Sequence, residues 1–433
     1  MLKTLKNAWG IEELRKKILF TLFIILVYRL GNAVPVPYVN TAMLESYFNT
    51  VNNTILGLWN TMSGGSFSMA TIFALSIQPY INASIIIQLL TIAIPALERL
   101  QKEGGEEGRK KIASITRYTT VGIGLIMGFA YYMLIKNGVN GQSMLTSDGV
   151  GVWPAIVIIM TFMAGSALIM WMGEQVTEFG VGNGISIILF ASIIARFPSS
   201  IGTMITNVSN GSLAWWALAL VILGALAIIV LIVIVNDAER RIPVQYSKRV
   251  VGRKLYGGQS THLPMKVNMS GVLPIIFAQS IASLPATICA FVPKWQNGWV
   301  MKHIFDTTTW PYIVIYFLLI IFFSYFYSTI QFNPIEVANN LKKNGGFIPG
   351  FRAGKPTSEF IQKVLNKITL FGAIYLSVIA ITPLIISACS KAEQLTGISL
   401  GGTSIIIVVG VALETVRALE AQMLMRNYKG FLS

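Results

Sequence analysis

The feature that most constrains this chain is the recurrence of long apolar runs without a charged residue. The clearest of them, at residues 213–235, reads LAWWALALVILGALAIIVLIVIV. A helix rises about 1.5 Å per residue, so about 20 such residues cross a hydrocarbon core of about 30 Å. Only 12% of the residues are charged, whereas soluble domains carry about 25%. The sequence therefore predicts an all-α polytopic membrane protein.

Ten predominantly apolar segments are present, and the charges around them predict the orientation of the chain. If the N-terminus lies inside, the inward-facing segments hold 27 of the 33 Lys and Arg residues. Short basic loops stay on the cytoplasmic side of a membrane, so both termini are expected in the cytoplasm. The ten predicted transmembrane helices are 18–38, 69–95, 116–136, 152–172, 183–202, 213–236, 271–293, 311–332, 367–388 and 400–420.

Few residues of the chain are suited to catalysis or metal binding. Cys289 and Cys389 lie in apolar runs, so no disulfide framework is expected. His262 and His303 have no partners at metal-ligand spacing, so we expect no metal site. No Asp or Glu lies in the middle of a predicted span, which argues against ion-coupled transport and intramembrane proteolysis. With no G-x-x-x-x-G-K-[ST] loop either, the sequence predicts no catalytic site and no cofactor, and it favours a passive pore.

A second run, residues 46–97, carries no charge over 52 residues. It is long enough for two crossings, but the basic segments 1–17 and 95–117 must lie on the same face of the membrane. The piece TILGLWNTMSGGS at 54–66 therefore has to enter and leave on the outer side. Such backbone is tolerated at membrane depth only inside protein or along a wet cavity. We interpret it as a short plug helix hinged at Gly64 and Gly65, with an ordinary surface helix as the alternative.

Two predicted spans carry residues that are unusual for a bilayer helix. In 69–95 Pro79 is expected to interrupt the backbone hydrogen bonding, and 271–293 contains Pro274 and Pro285. Broken helices at corresponding places in two halves indicate inverted repeats around a central site, here residues 1–202 and 203–433. Helix packing through small polar residues is the alternative explanation.

Six stretches of the chain together resemble one known family. They are YRLGNAVPVP, LSIQPYINASIIIQLL, GVGNGISII, STHLPMKVNMSGVLPIIFAQSI, NPIEVANNLKKNGGFIPGFRAGKPT and GGTSIIIVV. In this order, and over nearly the whole chain, they are similar to the SecY family, the pore subunits of the bacterial protein-export translocon. The resemblance implies ten transmembrane helices in two pseudo-symmetric five-helix inverted repeats around a central pore. It also implies a passive protein-conducting channel for secretory polypeptides, with a lateral gate through which membrane proteins insert.

The resemblance further implies a role for particular residues. Aliphatic side chains would form a pore ring, and polar residues of spans 69–95 and 271–293 would line the lateral gate. The pore ring consists of Ile77, Ile81, Ile185, Leu189, Ile276 and Ile407. The lateral gate consists of Gln78, Pro79, Asn82, Ser84, Gln279, Ser280, Ser283 and Leu284. The plug includes Thr54, Ile55, Leu56, Gly57, Leu58, Trp59, Met62, Gly64 and Gly65.

Two inward-facing loops, 236–270 and 333–367, are long at about 35 residues each, where helix connections usually take 2–8. Long ordered loops usually bind something. The basic residues of loop 236–270 suit binding to ribosomal RNA phosphate or to an acidic face of a partner protein. Attraction to anionic lipid is the alternative. By resemblance, Arg352 engages the SecA motor. The predicted residues for SecA and ribosome binding are Arg240, Arg241, Lys248, Arg249, Arg253, Lys254 and Arg352.

The resemblance also names partners and a place in the cell. The partners are the SecE and SecG subunits, the SecA ATPase or the ribosome as the source of energy, signal peptides and nascent chains, inner-leaflet anionic lipids, and SecDF and YidC. The expected location is the bacterial cytoplasmic membrane. Two other function classes stay open on the residues alone: a secondary transporter of the inverted-repeat kind, and a scaffold for partner helices.

Overall fold

The computed structural model describes most of the chain in a series of ranges, and the statements below concern these residues. They are 2–50, 55–102, 104–138, 143–211, 215–246, 249–251, 254–256, 260–269, 271–291, 303–304, 309–389 and 402–429.

Helices dominate the described residues. The first group is α1 (Leu2–Trp9), α2 (Glu12–Gly31), α3 (Thr41–Thr50), α4 (Ile55–Met62), α5 (Gln78–Ala93), α6 (Pro95–Lys102), α7 (Gly105–Asn137), α8 (Val152–Phe179) and α9 (Gly184–Ser209). The second group is α10 (Trp215–Asp237), α11 (Leu273–Phe291), α12 (Trp310–Gln331), α13 (Pro334–Lys343), α14 (Lys355–Cys389) and α15 (Gly402–Lys429). Each of the ten predicted spans overlaps one of these helices.

Length and hydropathy single out the helices that are able to cross a bilayer on their own. In the described part of the chain five pass this test, and α5 with α6 is a sixth candidate, bent by 105° at the break between them. The five are Gly105–Asn137, Val152–Phe179, Gly184–Ser209, Trp310–Lys343 and Lys355–Ile385. The polytopic helical fold is therefore confirmed.

The predicted span 69–95 is wrong in its first third. Residues 69–77 form turns, and α5 begins at Gln78 with Pro79 in its first turn. A proline in the first turn lacks only an N–H that would have no helical partner, so Pro79 starts this helix and does not interrupt it. Ala70 and Ser76 have φ values of 44° and 49°, which a continuous helix does not allow.

The two long loops form two small sheets that the sequence did not predict. Strands β1 (Glu239–Tyr246), β2 (Arg249–Val251), β3 (Lys254–Tyr256), β4 (Ser260–Lys266) and β5 (Gly346–Phe347) contribute. In the larger sheet β1 lies between β4 and β5, so that the loops 236–270 and 333–367 are joined. Ile242 and Val244 on β1 pack with Met265, Leu341 and Ile361 in a separate hydrophobic cluster. The described part of the chain is therefore helical in its spans, with a three-stranded and a two-stranded sheet attached.

The largest hydrophobic cluster lies where the central helices converge. It takes buried side chains from α2, α4, α5, α8 and α9, and also from α10, α11, α12, α14 and α15. A second cluster joins α3, α7 and α8 around Phe67 and Phe162. The large cluster contains most of the predicted pore residues, so the candidate functional site lies here.

Candidate functional site

The short helix α4 and the two glycines after it occupy the position predicted for the plug. Gly64 and Gly65 have φ values of 71° and 91°, so the chain turns sharply just after the helix ends. Met62, in the last turn of α4, is buried in the large hydrophobic cluster. A Cβ added to Gly64 would lie 2.7 Å from the carbonyl oxygen of Ser192. The backbone at Gly64 therefore rests directly on α9. Of the predicted plug residues, Thr54 lies outside the described part of the chain.

Ser192 itself is held by a hydrogen bond from another helix. Its Oγ donates to the carbonyl oxygen of Ile188 at 2.8 Å and lies 2.6 Å from the hydroxyl of Tyr28. Because the hydroxyl hydrogen of Ser192 is used on Ile188, the Tyr28 hydroxyl is the donor in the second bond. The Tyr28 ring also stacks on Phe73 with centroids 5.7 Å apart. These contacts fix α9 and the turns after α4 to α2. The sequence did not predict Tyr28 and Ser192 as site residues. The available signal was that each is a polar group within a predicted apolar span.

The turns after α4 have a polar side chain at their centre. Asn60 is almost fully buried, and its Oδ1 accepts a hydrogen bond from the backbone N–H of Ser68 at 3.0 Å. The backbone N–H of Phe67 donates to the Ser63 hydroxyl at 3.1 Å. Side chains of the turn thus replace the hydrogen bonds that a helix would have made here.

All six predicted pore-ring residues lie in the large hydrophobic cluster or pack against it. Five of its six side chains are buried members of the large cluster, and Ile185 packs against the same cluster half-buried. They come from the N-terminal end of α5 and from α9, α11 and α15, with Met62 of α4 in the same cluster. The ring members of this cluster are Ile77, Ile81, Ile185, Leu189, Ile276 and Ile407.

Two predicted gate amides on α5 donate to methionine sulfurs. Gln78 Nε2 lies 3.3 Å from Sδ of Met62 on α4, and Asn82 Nδ2 lies 3.7 Å from Sδ of Met127 on α7. Both amides are buried. A thioether sulfur is a weak acceptor, so these bonds are weak. Ser84, the third polar gate residue on α5, is half-buried.

Helix α11 packs against both α5 and α7, so the two helices of the predicted gate are in contact. Gln279 Oε1 and Ser280 Oγ are buried without a hydrogen-bond partner among the described residues. Ser283 Oγ donates to the Ser280 carbonyl oxygen at 2.7 Å. Leu284 is 43% exposed, whereas the other three residues are buried.

The predicted basic residues within the described ranges lie on strands and on a tight turn. Arg240 and Arg241 are exposed on β1, and Arg241 pairs with Glu239 at 2.7 Å. Lys248 and Arg253 lie outside the described residues, and for Arg249 and Lys254 only the strands that contain them are described.

Arg352 lies on the second loop, exposed between two glycines. Gly350 and Gly354 have φ values of 88° and 106°, as expected for a tight turn. Thr357 Oγ1 donates to the Arg352 carbonyl oxygen at 2.8 Å and holds the turn against α14. Within the described residues no group of three or more His, Cys, Asp or Glu side chains is placed to hold a metal ion.

The comparisons with known proteins agree on one family. The SecY family model matches residues 71–416. The protein translocase subunit SecY of Streptomyces coelicolor is 45% identical over the full length of both chains. Two solved structures share the fold. One describes the plug domain of a SecY protein stabilising the closed translocation channel and maintaining a membrane seal, with a TM-score of 0.65, 15% identity, and coverage of 95% of this chain and 92% of the other. The second is Sec61 in the canine ribosome–channel complex, with a TM-score of 0.63, 14% identity, and coverage of 95% and 93%. The chain belongs to the SecY family of protein translocase subunits.

Proposed function

We propose that this chain is a passive protein-conducting channel that carries unfolded secretory polypeptides across a membrane and releases membrane segments sideways into the lipid. It is a channel subunit and not an enzyme. The observation that carries the proposal is the convergence of six aliphatic side chains from four separate parts of the chain in one cluster beside α4.

An aliphatic constriction fits this task for two physical reasons. Apolar side chains exclude water and ions from a narrow passage by dewetting. They also offer no specific hydrogen bonds, so a polypeptide sliding past them is not held at any one position. Helix α4 beside the constriction supports a plug role, because Met62 fills the cluster and Gly64 rests on Ser192.

The seam between α5 and α11 supports a lateral gate. The amides of Gln78 and Asn82 donate to methionine sulfurs, and Gln279 Oε1 and Ser280 Oγ have no partner among the described residues. An unpaired buried polar atom costs about 1–3 kcal/mol of stability. Because the seam contains two such atoms, less stabilising free energy is lost when α5 and α11 separate. In this proposal the halves 1–202 and 203–433 separate along the seam, and a signal peptide takes the place of the closing contacts.

The basic sheet and the Arg352 turn support docking of an energy source on one face. The channel related to this fold in the canine complex is bound to a ribosome. We propose that the ribosome or the SecA ATPase docks here, that SecE and SecG complete the complex, and that SecDF, YidC and anionic lipids act with it. The excess of Lys and Arg in the inward segments supports cytoplasmic termini in a bacterial cytoplasmic membrane.

The test is site-specific crosslinking of a stalled secretory chain to the constriction. A photoreactive residue replaces Ile77, Ile185, Ile276 or Ile407 in turn, and the matched control is Ile194, which is 40% exposed on α9. We expect crosslinks at all four constriction positions and none at the control. Equal crosslinking at position 194, or none at the four, would contradict the proposed path.

A further inference from the structure

One face of α9 carries an arginine in line with the constriction. Ile185, Leu189, Ser192 and Arg196 are spaced by four, three and four residues. At 3.6 residues per turn, these four positions fall within about 60° of arc around the helix. Ile185 and Leu189 belong to the constriction, and the carbonyl of Ser192 supports Gly64. Arg196 therefore lies on the channel face of α9, one turn beyond the seat of α4.

The opposite face of α9 is the one that is exposed on the surface of the chain. Ile194 lies about 140° from Leu189 around the helix and is 40% exposed. If the side chain of Arg196 only extended to the membrane surface, we would expect it on the exposed face with Ile194. Arg196 is half-buried on the side where α4 packs against α9.

The guanidinium of Arg196 has no carboxylate or hydrogen-bond acceptor within the residues that the structure describes. Its backbone carbonyl accepts from Ser199, but no ion pair or side-chain hydrogen bond involves its charged group. An arginine keeps its charge in proteins. Unpaired charges at membrane depth are rare, and they mark the routes of ions and substrates. The positive charge is thus uncompensated, directly beside the proposed path.

We propose that Arg196 gives the outer mouth of the channel a positive potential that selects by charge. Inorganic anions and acidic segments of a passing chain are favoured there, and inorganic cations and basic segments are disfavoured. Charged side chains at a constriction select ions in this way, with Arg and Lys favouring anions. The outer location follows from α4, which enters from the outer side in the proposed topology, so this inference rests on the proposed channel function.

The test measures ion selectivity in a channel without its plug. The full complex, with residues 55–62 removed from this chain, is reconstituted in planar bilayers, and reversal potentials are read under a KCl gradient. We expect a preference for chloride over potassium that falls about tenfold in Arg196→Gln, the lower end of what a focused field of one sign produces. Arg196→Lys keeps the charge and should keep the preference. Arg29→Gln removes an exposed arginine from α2 and should leave the preference unchanged.

A second measurement uses the passing chain itself. Two secretory substrates that differ only in a block of Glu or Lys are exported through the intact complex, and Arg196→Gln should raise the export rate of the Lys substrate relative to the Glu substrate. Current through the plug-less channel with the same selectivity in Arg196→Gln would overturn the role of Arg196 alone. Equal losses in the Lys and Gln variants would also overturn it, because the effect would then not follow charge. No current in any plug-less channel would overturn the channel function, and this inference with it.

Discussion

Substituting Gly64 by alanine should displace α4, the proposed plug, and the neighbouring Gly65 provides the matched control. Both residues have positive φ values, 71° and 91°, so alanine pays a similar conformational cost at either position. Only at Gly64 does the new methyl group meet another helix. It would lie 2.7 Å from the Ser192 carbonyl oxygen, whereas nothing lies within 4 Å of the corresponding position on Gly65.

The size of the effect follows from the conformational cost of a positive φ and from the contact with the Ser192 carbonyl oxygen. A non-glycine residue in the left-handed region costs about 1–2 kcal/mol, and both variants carry this cost. The contact on Ser192 is backbone against side chain in a packed interior, and overpacking of this kind costs about 1–3 kcal/mol. Because displacement of α4 relieves the contact, the second term shifts the balance between seated and displaced plug. A shift of this size corresponds to roughly 5- to 150-fold more displaced plug.

The assay is leakage of a small anionic dye from proteoliposomes that contain each variant. Gly64→Ala should leak more than Gly65→Ala by a factor in that range, while thermal unfolding shows that the rest of the fold is intact in both. Equal leakage from the two variants would refute the reasoning, because the contact with Ser192 would then not hold the plug in place.

Three further predictions concern the same architecture. Ser192→Ala leaves the buried Tyr28 hydroxyl without its acceptor and should lower the free energy of unfolding by about 1–3 kcal/mol, whereas Tyr28→Phe should cost about 1 kcal/mol, both measured by denaturant titration in detergent. Gly165→Ala places a methyl group against the backbone of the turns after α4 and should lower the free energy of unfolding by about 1–3 kcal/mol. The control is Gly122→Ala on α7, where nothing lies within 4 Å, and it should be neutral or stabilising. Melting temperatures of the two variants test this. Arg352→Glu, on an exposed turn, should leave the melting temperature unchanged and abolish ATP-driven export in inverted vesicles, and normal export by this variant would contradict the docking role.

The long apolar runs were sufficient to predict the helices, because crossing a bilayer requires about 20 apolar residues whatever the tertiary contacts are. The turns at 69–77 were not predictable in the same way. Their sequence is as apolar as a span, but Thr71 bridges to Pro35, and Gly165 of α8 leaves room for the backbone at Ile72. These are contacts between distant parts of the chain, and they override the local preference for helix.

The sheet escaped prediction for a related reason. Strand β1 pairs with β4 inside one loop, but it also pairs with β5 about 100 residues later, at Gln245 with Phe347. Pairing over such a distance cannot be read from the sequence of either loop alone. The alternation of Ile242 and Val244 with exposed residues was the available signal, since one face of a half-buried strand repeats every second residue.

The polar residues of α5 become intelligible when the plug and the gate are considered as one mechanical unit. Gln78 stands in the first turn of α5, which packs on α11, and its amide donates to Met62 in the last turn of α4. One side chain of α5 thus links the proposed gate helix to α4, the proposed plug. Its bond to sulfur is weak, so a movement of α5 away from α4 would break this contact at little cost. A strong acceptor in place of Met62 would hold the plug more firmly but would make opening of the gate and release of the plug harder together.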